Sequence, residues 1–300
     1  MPARGLDWIP GSDVLTRGEI GRIIGALAER GVRDVRITGG EPLLRPDLDG
    51  IVADAVGTPG IREVSITTNG VLLADHLDDL VAAGLGRVNV SVDSLDPDRF
   101  AAVTRRCELD RVLAGLDACE RHAGLGVIKV NAVLLRGWGE DDILPLAGMA
   151  RRRPFIVRFI EAMPLDADRA WTVESVIPGA EVRALISGRW PLVPVGRERP
   201  SAPAATWRFA DGHGHVEFVS SVTEPFCAAC DRVRVTADGQ LRTCLFAEDE
   251  TDLRTPLRAG VDDRAIGDLV AAAVAGKPAG HGIGRPGWSY DGRSMSRIGG

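Results

Sequence analysis

Residues 32–40 read VRDVRITGG, a run of β-branched residues that ends in two glycines. Four later runs are similar, rich in valine and isoleucine with a polar or glycine end: residues 63–70 (EVSITTNG), 87–94 (RVNVSVDS), 127–135 (VIKVNAVLL) and 156–163 (IVRFIEAM). Helical patterns separate these runs, so the first half predicts parallel βα units with helices covering a sheet. Five such strands fit an open sheet or an incomplete barrel, and both bind ligands at the carboxyl ends of their strands.

The clearest helix signal begins at Thr16. Thr16 and Glu19 form a capping box, and apolar residues at helical spacing follow on one face. Residues 72–85 and 110–122 have the same pattern, and a later helix is expected at 263–275. These helices fill the gaps between the predicted strands and follow them near the C-terminus.

The pattern changes after residue 164. Two hairpins are predicted around Asp-Gly turns, the first joining residues 206–210 to 215–220 and the second joining 233–236 to 241–243. We therefore expect a boundary near residue 165. Residues 1–165 form a partial barrel in this interpretation, and residues 166–300 form a smaller α+β region.

Composition and charge exclude several classes of function. The chain has 300 residues, of which 45% are hydrophobic, and its net charge of −6 opposes the basic surface that a nucleic-acid coat needs. No run approaches the roughly 18 apolar residues of a membrane span, and the first residues lack the apolar core of a signal peptide. We expect a cytoplasmic protein with neither a nucleic acid nor a membrane as partner.

Three of the five cysteines form a pattern that predicts a metal site. Cys227 and Cys230 are spaced as C-x-x-C, and Cys244 follows thirteen residues later, at the end of the second predicted hairpin. In a reducing compartment, convergent cysteines indicate a metal rather than a disulfide. Spacing alone favours zinc, for which His213 or His215 could supply a fourth ligand. An iron–sulfur cluster with one open iron is the alternative.

Several basic residues lie where a parallel sheet has no solvated face. Arg36, Lys129 and Arg158 fall inside predicted strands, and charged side chains are rarely buried unless they are paired or functional. Arg232 and Arg234 alternate just after the C-x-x-C pattern, so both point to one face. A cation-lined interior closed by an arginine-bearing hairpin suits a polyanionic small molecule such as a nucleoside triphosphate.

An ordered series of short segments supports a family resemblance. The segments are ITGGEPL (37–43), TTNG (67–70), NVSVDS (89–94), KVN (129–131), RFIE (158–161), the C-x-x-C-x13-C pattern and MSRIGG (295–300). The chain resembles the molybdenum cofactor biosynthesis protein A family, the radical S-adenosylmethionine GTP 3′,8-cyclases. The resemblance implies an α/β fold, an incomplete (β/α)6 TIM-like barrel that here lacks its first strand, with a smaller C-terminal α+β region.

The resemblance also implies a role for each matching residue. Cys227, Cys230 and Cys244 would hold a C-terminal [4Fe-4S] cluster whose open iron meets the guanine of GTP. Gly40, Ser91 and Met163 match positions that contact S-adenosylmethionine. The positions that match GTP contacts are Arg36, Thr67, Lys129, Arg232, Val233 and Arg234. Arg158 matches a basic position in the same pocket, and the tail of Gly299 and Gly300 resembles one that reaches the active site.

The implied reaction converts GTP to 3′,8-cyclo-7,8-dihydroguanosine 5′-triphosphate through a radical derived from S-adenosylmethionine. A second, N-terminal [4Fe-4S] cluster belongs to the family, but its C-x-x-x-C-x-x-C ligands are not in this sequence. We therefore expect the chain as given not to cleave S-adenosylmethionine, and residues 33–38 to form an uncovered sheet edge. The alternative is a non-catalytic nucleotide-binding module with a structural zinc at the C-terminal cysteines.

The resemblance implies partners as well. GTP is the expected substrate, the product would pass to the next enzyme of molybdenum cofactor synthesis, and an electron donor is required. The sequence leaves both a monomer and a homodimer open.

Overall fold

The computed structural model describes residues 9–166, 169–283, 288–290 and 292–299. Within these ranges the strands are β1 (Asp34–Ile37), β2 (Glu63–Thr68), β3 (Arg87–Ser91), β4 (Ile128–Leu134), β5 (Phe155–Glu161), β6 (Leu192–Gly196), β7 (Ala205–Phe209), β8 (His215–Val219), β9 (Arg234–Val235), β10 (Gln240–Arg242) and β11 (Thr251–Asp252). The α-helices of the same ranges are α1 (Arg17–Glu29), α2 (Leu48–Gly57), α3 (Leu73–Ala82), α4 (Pro97–Thr104), α5 (Leu109–Arg121), α6 (Ile143–Arg152), α7 (Gly179–Arg189), α8 (Arg254–Arg258), α9 (Asp263–Ala275) and α10 (Met295–Ile298).

The described strands form a large sheet in the order β1-β2-β3-β4-β5-β8-β7-β6, and β11-β10-β9 form a small one. β1 to β5 are parallel, which confirms the five strands predicted from the sequence. The two predicted hairpins are confirmed as β7–β8 and β9–β10. One pairing is not predicted by the sequence pattern: β8 also lies parallel to β5 and so extends the parallel part of the sheet.

The large sheet is curved, with its two edges close together. β1 lies at one edge, as expected for residues 33–38, and β6 lies at the other. Arg199, three residues beyond β6, forms an ion pair of 3.2 Å with Asp34, the first residue of β1. The described strands therefore enclose an interior without closing into a hydrogen-bonded barrel.

The outer face of the sheet is apolar and packs against the helices. Val64, Ile66, Val88 and Val90 are fully or almost fully buried there. The turn after β2 passes so close to this layer that a Cβ on Gly70 would lie 2.7 Å from Val90 Cγ1. Gly70 also has a φ of +80°, which only glycine adopts readily. The glycine of the TTNG segment thus allows close packing of strand and helix.

A second core joins the two ends of the chain. Ile23 and Ala26 of α1 pack with Leu241 of β10 and Ile266 of α9. The capping box predicted at the start of α1 is confirmed, since the Thr16 side chain accepts from the Glu19 backbone. The boundary near residue 165 stays a prediction, although both this core and the large sheet contain residues from each side of it. None of the described helices is long and apolar enough to cross a membrane.

Candidate active site

The inner face of the large sheet is polar, and the strand register brings most of the predicted site residues onto it. Thr67 lies opposite Asn89, Asn89 opposite Lys129, Asn131 opposite Arg158, and Arg158 opposite Glu217. Because side chains alternate along a strand, residues two positions apart share a face. The inner face thus carries Arg36, Ser65, Thr67, Arg87, Asn89, Ser91, Lys129, Asn131, Arg158 and Glu217.

Two inward cations share one buried carboxylate. Lys129 Nζ donates to Glu217 Oε1 at 2.7 Å, and Arg158 Nε donates to Glu217 Oε2 at 2.8 Å. All three residues are at most 7% exposed. Burial would raise the pKa of Glu217, but Arg158 and Lys129 outweigh it and hold that pKa below its ordinary value. The carboxylate is therefore charged and bridges the two cations.

Three further arginines extend the positive field across the interior. The Arg36 side chain is accessible to solvent that fills the interior of the curved sheet, but protein surrounds this interior. The pKa of Arg36 falls to about 10. Burial is the main cause, followed by repulsion from Arg158, Arg234 and Arg232. The pKa of Arg234 also falls to about 10 through burial and the charge of Arg232. Such mutual repulsion between cations favours binding of a polyanion.

Val233 lies between these arginines but turns away from them, because it packs against the second core. Arg232 itself precedes β9 and lies exposed, with its guanidinium 5.0 Å from the centre of the Phe226 ring.

Several buried polar atoms of the inner face have no hydrogen-bond partner within the described part of the chain. They are Thr38 Oγ1, Asn89 Oδ1 and Asn131 Oδ1. Buried polar groups normally have partners, and exceptions mark places where a ligand or water completes the network. Asn89 and Asn131 flank Lys129 on the same face, so these acceptors lie in the cation-lined interior.

Gly40, Ser91 and Met163, the residues predicted to contact S-adenosylmethionine, lie at the carboxyl ends of parallel strands. Gly40 follows β1, Ser91 ends β3, and Met163 follows β5. The turn after Gly40 is fixed by Glu41, which accepts from the Thr68 hydroxyl and the Asn69 backbone at 2.7 Å each. Adjacent strand ends are thereby joined at the rim where a ligand of this fold binds.

The cysteine segment lies beside the arginines. Cys227 begins a short 3-10 turn, Cys230 follows it, and Cys244 lies two residues beyond β10. Cys230 and Cys244 both act electrostatically on Arg234, so both thiols lie in the surroundings of that residue. The three thiols are free and half-buried. Within the described ranges, no three His, Cys, Asp or Glu side chains lie close enough to hold a metal ion.

Cations surround the Cys230 sulfur. Lys277 Nζ and Arg232 Nη2 each lie 3.6 Å from Cys230 Sγ. Burial raises the pKa of this thiol, but the backbone and charge of Arg232, with Lys277, outweigh burial and lower it overall. A thiolate is the form that binds metals. The chemistry of these donors suits a thiolate-held cluster, but the predicted convergence of Cys227, Cys230 and Cys244 is not seen, because among the described residues the three sulfurs do not lie close enough together to hold a metal.

The two histidines suggested as a fourth zinc ligand lie elsewhere. His215 begins β8, and His213 precedes it in the hairpin turn, whereas the cysteine segment follows the other end of β8. His213 and His215 therefore lie at the amino end of the parallel strands, opposite the rim that carries the predicted site. The suggestion that either histidine completes the cysteine site is therefore wrong.

The C-terminal tail reaches the same interior. Arg234 donates to the carbonyl oxygen of Gly299. Gly299 has a φ of +81°, and a Cβ there would lie 2.6 Å from Thr38 Oγ1. Only glycine fits this approach. Gly300 lies outside the described residues.

Comparison with known proteins gives matches along the whole chain. The family model described as the radical SAM superfamily matches residues 6–150, and the one described as molybdenum cofactor synthesis C matches residues 155–283. A GTP 3′,8-cyclase of Mycobacterium sp. (strain KMS) is 47% identical over 100% of this chain and 86% of its own length. That of Streptomyces coelicolor is 46% identical over 100% of this chain and 88% of its own.

The chain belongs to the GTP 3′,8-cyclase family. Membership confirms the resemblance drawn from the short segments, and with it the radical SAM enzyme class. It does not favour the alternative of a non-catalytic zinc module. A solved structure of TYW1 with a lysine–pyruvate adduct is similar with a TM-score of 0.44 and 17% identity, covering 61% of this chain and 63% of that one.

Two buried glutamates of this cyclase family member were missed from the sequence. Glu217 interrupts the apolar strand HVEFV, which is the same signal that singled out Lys129 and Arg158. Glu161 ends β5 and accepts from the backbones of Gly179, Val222 and Thr223 at 2.9 Å each. Its position at a strand end was noted, but its partners lie 18 to 62 residues away.

A separate cavity of about 760 Å³ is lined in part by residues of the C-terminal tail. Leu165, Trp171, Arg242 and Arg293 contribute to its lining. None of the site residues predicted from the sequence lines it. The cavity therefore does not coincide with the cation-lined interior.

Proposed function

We propose that this chain is a GTP 3′,8-cyclase that binds GTP inside the curved sheet, with the triphosphate among the inward cations. Arg36, Lys129, Arg232 and Arg234 would bind the phosphates, and Thr67 would donate to the same ligand. The observation that carries the proposal is the polar inner face, which carries cations from four strands, Arg36 of β1, Arg87 of β3, Lys129 of β4 and Arg158 of β5. A triphosphate supplies the negative charge that this interior lacks.

We further propose that Cys227, Cys230 and Cys244 hold a [4Fe-4S] cluster beside the guanine. Lys277 and Arg232 would stabilise the thiolate of Cys230, since both lie 3.6 Å from its sulfur. S-adenosylmethionine and iron–sulfur clusters would supply the radical chemistry that the family name implies, and only the C-terminal cluster has candidate ligands in this sequence.

The roles of the remaining site residues follow from their positions. Gly40, Ser91 and Met163 would contact S-adenosylmethionine at the strand ends. Gly299, held by Arg234, would help to keep water out of the interior. The downstream enzyme, the electron donor and the choice between monomer and homodimer stay predictions.

Calorimetric titration tests the triphosphate site. Arg234→Ala should weaken GTP binding by about 10- to 100-fold, because a hydrogen bond to a charged group contributes about 1.5–3 kcal/mol. GMP, which lacks two phosphates, should bind weakly to both forms. Arg136→Ala is the matched control, since Arg136 lies in an exposed ion pair with Glu181. Equal GTP affinity in the Arg234 variant and the wild type contradicts the proposal.

Iron and sulfide analysis after anaerobic reconstitution tests the cluster. Cys230→Ser should lose the bound iron, whereas Cys107→Ser, at an exposed cysteine, should keep it. About four irons for each cysteine trio are expected for a [4Fe-4S] cluster. One colourless zinc ion in place of the iron would support the structural-zinc alternative.

A further inference from the structure

The buried carboxylate of Glu217 is the feature that the predicted chemistry does not use. Glu217 comes from β8, a strand whose pairing with β5 the sequence pattern does not predict, and it lies directly opposite Arg158 in the register. Its two oxygens are divided between two cations, Oε1 for Lys129 and Oε2 for Arg158. A negative group in an anion-binding interior needs an explanation, because it opposes the ligand's own charge.

We propose that Glu217 is a positioning residue of the GTP site, which keeps Lys129 protonated and holds it with Arg158 in a fixed arrangement toward the interior. The proposal rests on the function proposed above, since it assigns Lys129 to the triphosphate. Glu217 itself does not touch the ligand in this proposal. It acts through the two cations.

The donors that remain explain how both cations can serve a ligand. Lys129 uses one of its three N–H groups on Glu217. Arg158 uses Nε and Nη2 on the single oxygen Oε2, so its Nη1 group is not spent on Glu217. The Glu217 carboxylate thus fixes both side chains while it takes only part of their N–H groups. The remaining N–H groups of Lys129 and Arg158 can donate to phosphate oxygens.

The charges that face Lys129 come from several strands. Burial lowers the pKa of Lys129, Arg158 of β5 lowers it further, and Arg87 of β3 adds a smaller repulsion. Glu217 of β8 opposes all three. Glu63 of β2 is a second carboxylate nearby, but it pairs with Arg87 at 2.8 Å and not with Lys129. Without Glu217, Lys129 would lose its proton at a lower pH.

Two simple accounts of Glu217 predict opposite effects on GTP affinity. If the carboxylate only reduces the positive charge, its removal adds one net charge and tightens GTP binding at every pH. If it positions and charges Lys129, its removal weakens GTP binding, and the weakening grows as pH rises. The sign of the effect and its pH dependence therefore decide between them.

The test is Glu217→Gln, a change of nearly equal volume, compared with Glu181→Gln, which removes a carboxylate from an exposed ion pair. GTP affinity of the full chain is measured by calorimetry from pH 7 to pH 9. Wild type and Glu181→Gln should vary less than about threefold over this range. Glu217→Gln should bind more weakly at pH 7 and lose more than threefold further affinity toward pH 9, because a larger fraction of Lys129 loses its proton than in wild type.

Glu217→Asp keeps the charge but places it farther from Lys129 and Arg158. The pH dependence of its GTP affinity should therefore lie between those of wild type and Glu217→Gln. Glu217→Asp also carries the test if Glu217→Gln does not fold by circular dichroism. A purely structural role would lower the melting temperature without changing the pH dependence of binding. Tighter or pH-independent GTP binding in the Glu217 variants overturns the proposal.

A second measurement does not depend on GTP binding. An NMR titration of the chain labelled with isotopic lysine reports the pKa of the Lys129 amine directly, without a reagent that must reach this buried side chain. The pKa should be lower in the Glu217 variants than in wild type and unchanged in Glu181→Gln. If wild type binds no GTP, the proposed function fails, and this pKa then decides on Glu217 alone. An unchanged Lys129 pKa overturns the role of Glu217.

Discussion

Glu161→Gln should loosen the link between the end of β5 and the segment that leads to Cys227. The carboxylate is 3% exposed and accepts from the backbones of Gly179, Val222 and Thr223, and from the Thr223 hydroxyl. Glutamine has nearly the same shape but only one acceptor oxygen. The best orientation gives that oxygen to the Val222 and Thr223 N–H groups.

The amide nitrogen then faces the buried N–H of Gly179, and donor meets donor. An unsatisfied buried donor costs about 1–3 kcal/mol, and the other bonds lose the strength that the charge gave them. The free energy of unfolding should therefore fall by about 2–4 kcal/mol. Glu181→Gln, at an ion pair on the surface, should change it by less than about 1 kcal/mol.

Urea denaturation of both variants and the wild type measures these differences. Hydrogen exchange followed by mass spectrometry locates them, and residues 220–230 should exchange faster in Glu161→Gln than in Glu181→Gln. A Glu161→Gln variant that is as stable as Glu181→Gln and exchanges like wild type would contradict this role of the carboxylate. It would show that water replaces the carboxylate without cost at this position.

Three other predictions concern separate parts of the molecule. Gly299→Ala should displace the tail, since its Cβ would lie 2.6 Å from Thr38 Oγ1 at a φ of +81°, and faster proteolysis at the C-terminus would report it. Burial raises the pKa of the Cys119 thiol to about 12, so iodoacetamide at pH 8 should label exposed Cys107 and leave Cys119 unmodified until the chain unfolds; equal labelling would contradict this. A hydrogen bond from Arg258 on α8 lowers the pKa of Glu19 from its ordinary value of 4.5 to about 2. The charged Glu19 therefore stabilises the fold above pH 4.5, and this stabilisation is lost as pH falls toward 2. Glu19→Gln should therefore reduce the difference in urea midpoint between pH 5 and pH 2.5, and an unchanged difference would count against the pair.

Local patterns were enough to predict the parallel strands and their helices. β1 to β5 each follow an apolar run with a polar end, and consecutive parallel strands with a helix between them pair with their neighbours. The pairing of β8 with β5 could not be predicted in this way, because α7 and two other strands separate β8 from β5 along the chain. A hairpin signal shows that two strands pair with each other, but it does not show which sheet they join.

The sequence was enough to predict the cations of the candidate site, but not the carboxylate that pairs with them. Lys129 and Arg158 were recognised because charges are rare inside covered strands. Glu217 carried the same signal, but its meaning depends on the pairing of β8 with β5. His213 and His215 were suggested as ligands from nearness in sequence, and the direction of β8 separates them from the cysteines.

Short segments and local periodicity were enough to predict the family, the parallel βα order and the chemical types of the site residues, because these properties are encoded by neighbouring residues. Which of those residues share a face depends on how distant strands pair. Only the register of the strands brings ten polar side chains to one inner face, and only sheet curvature brings the edges at Asp34 and Arg199 together. Long-range pairing has no local signature, since its energy comes from contacts between residues far apart in the chain.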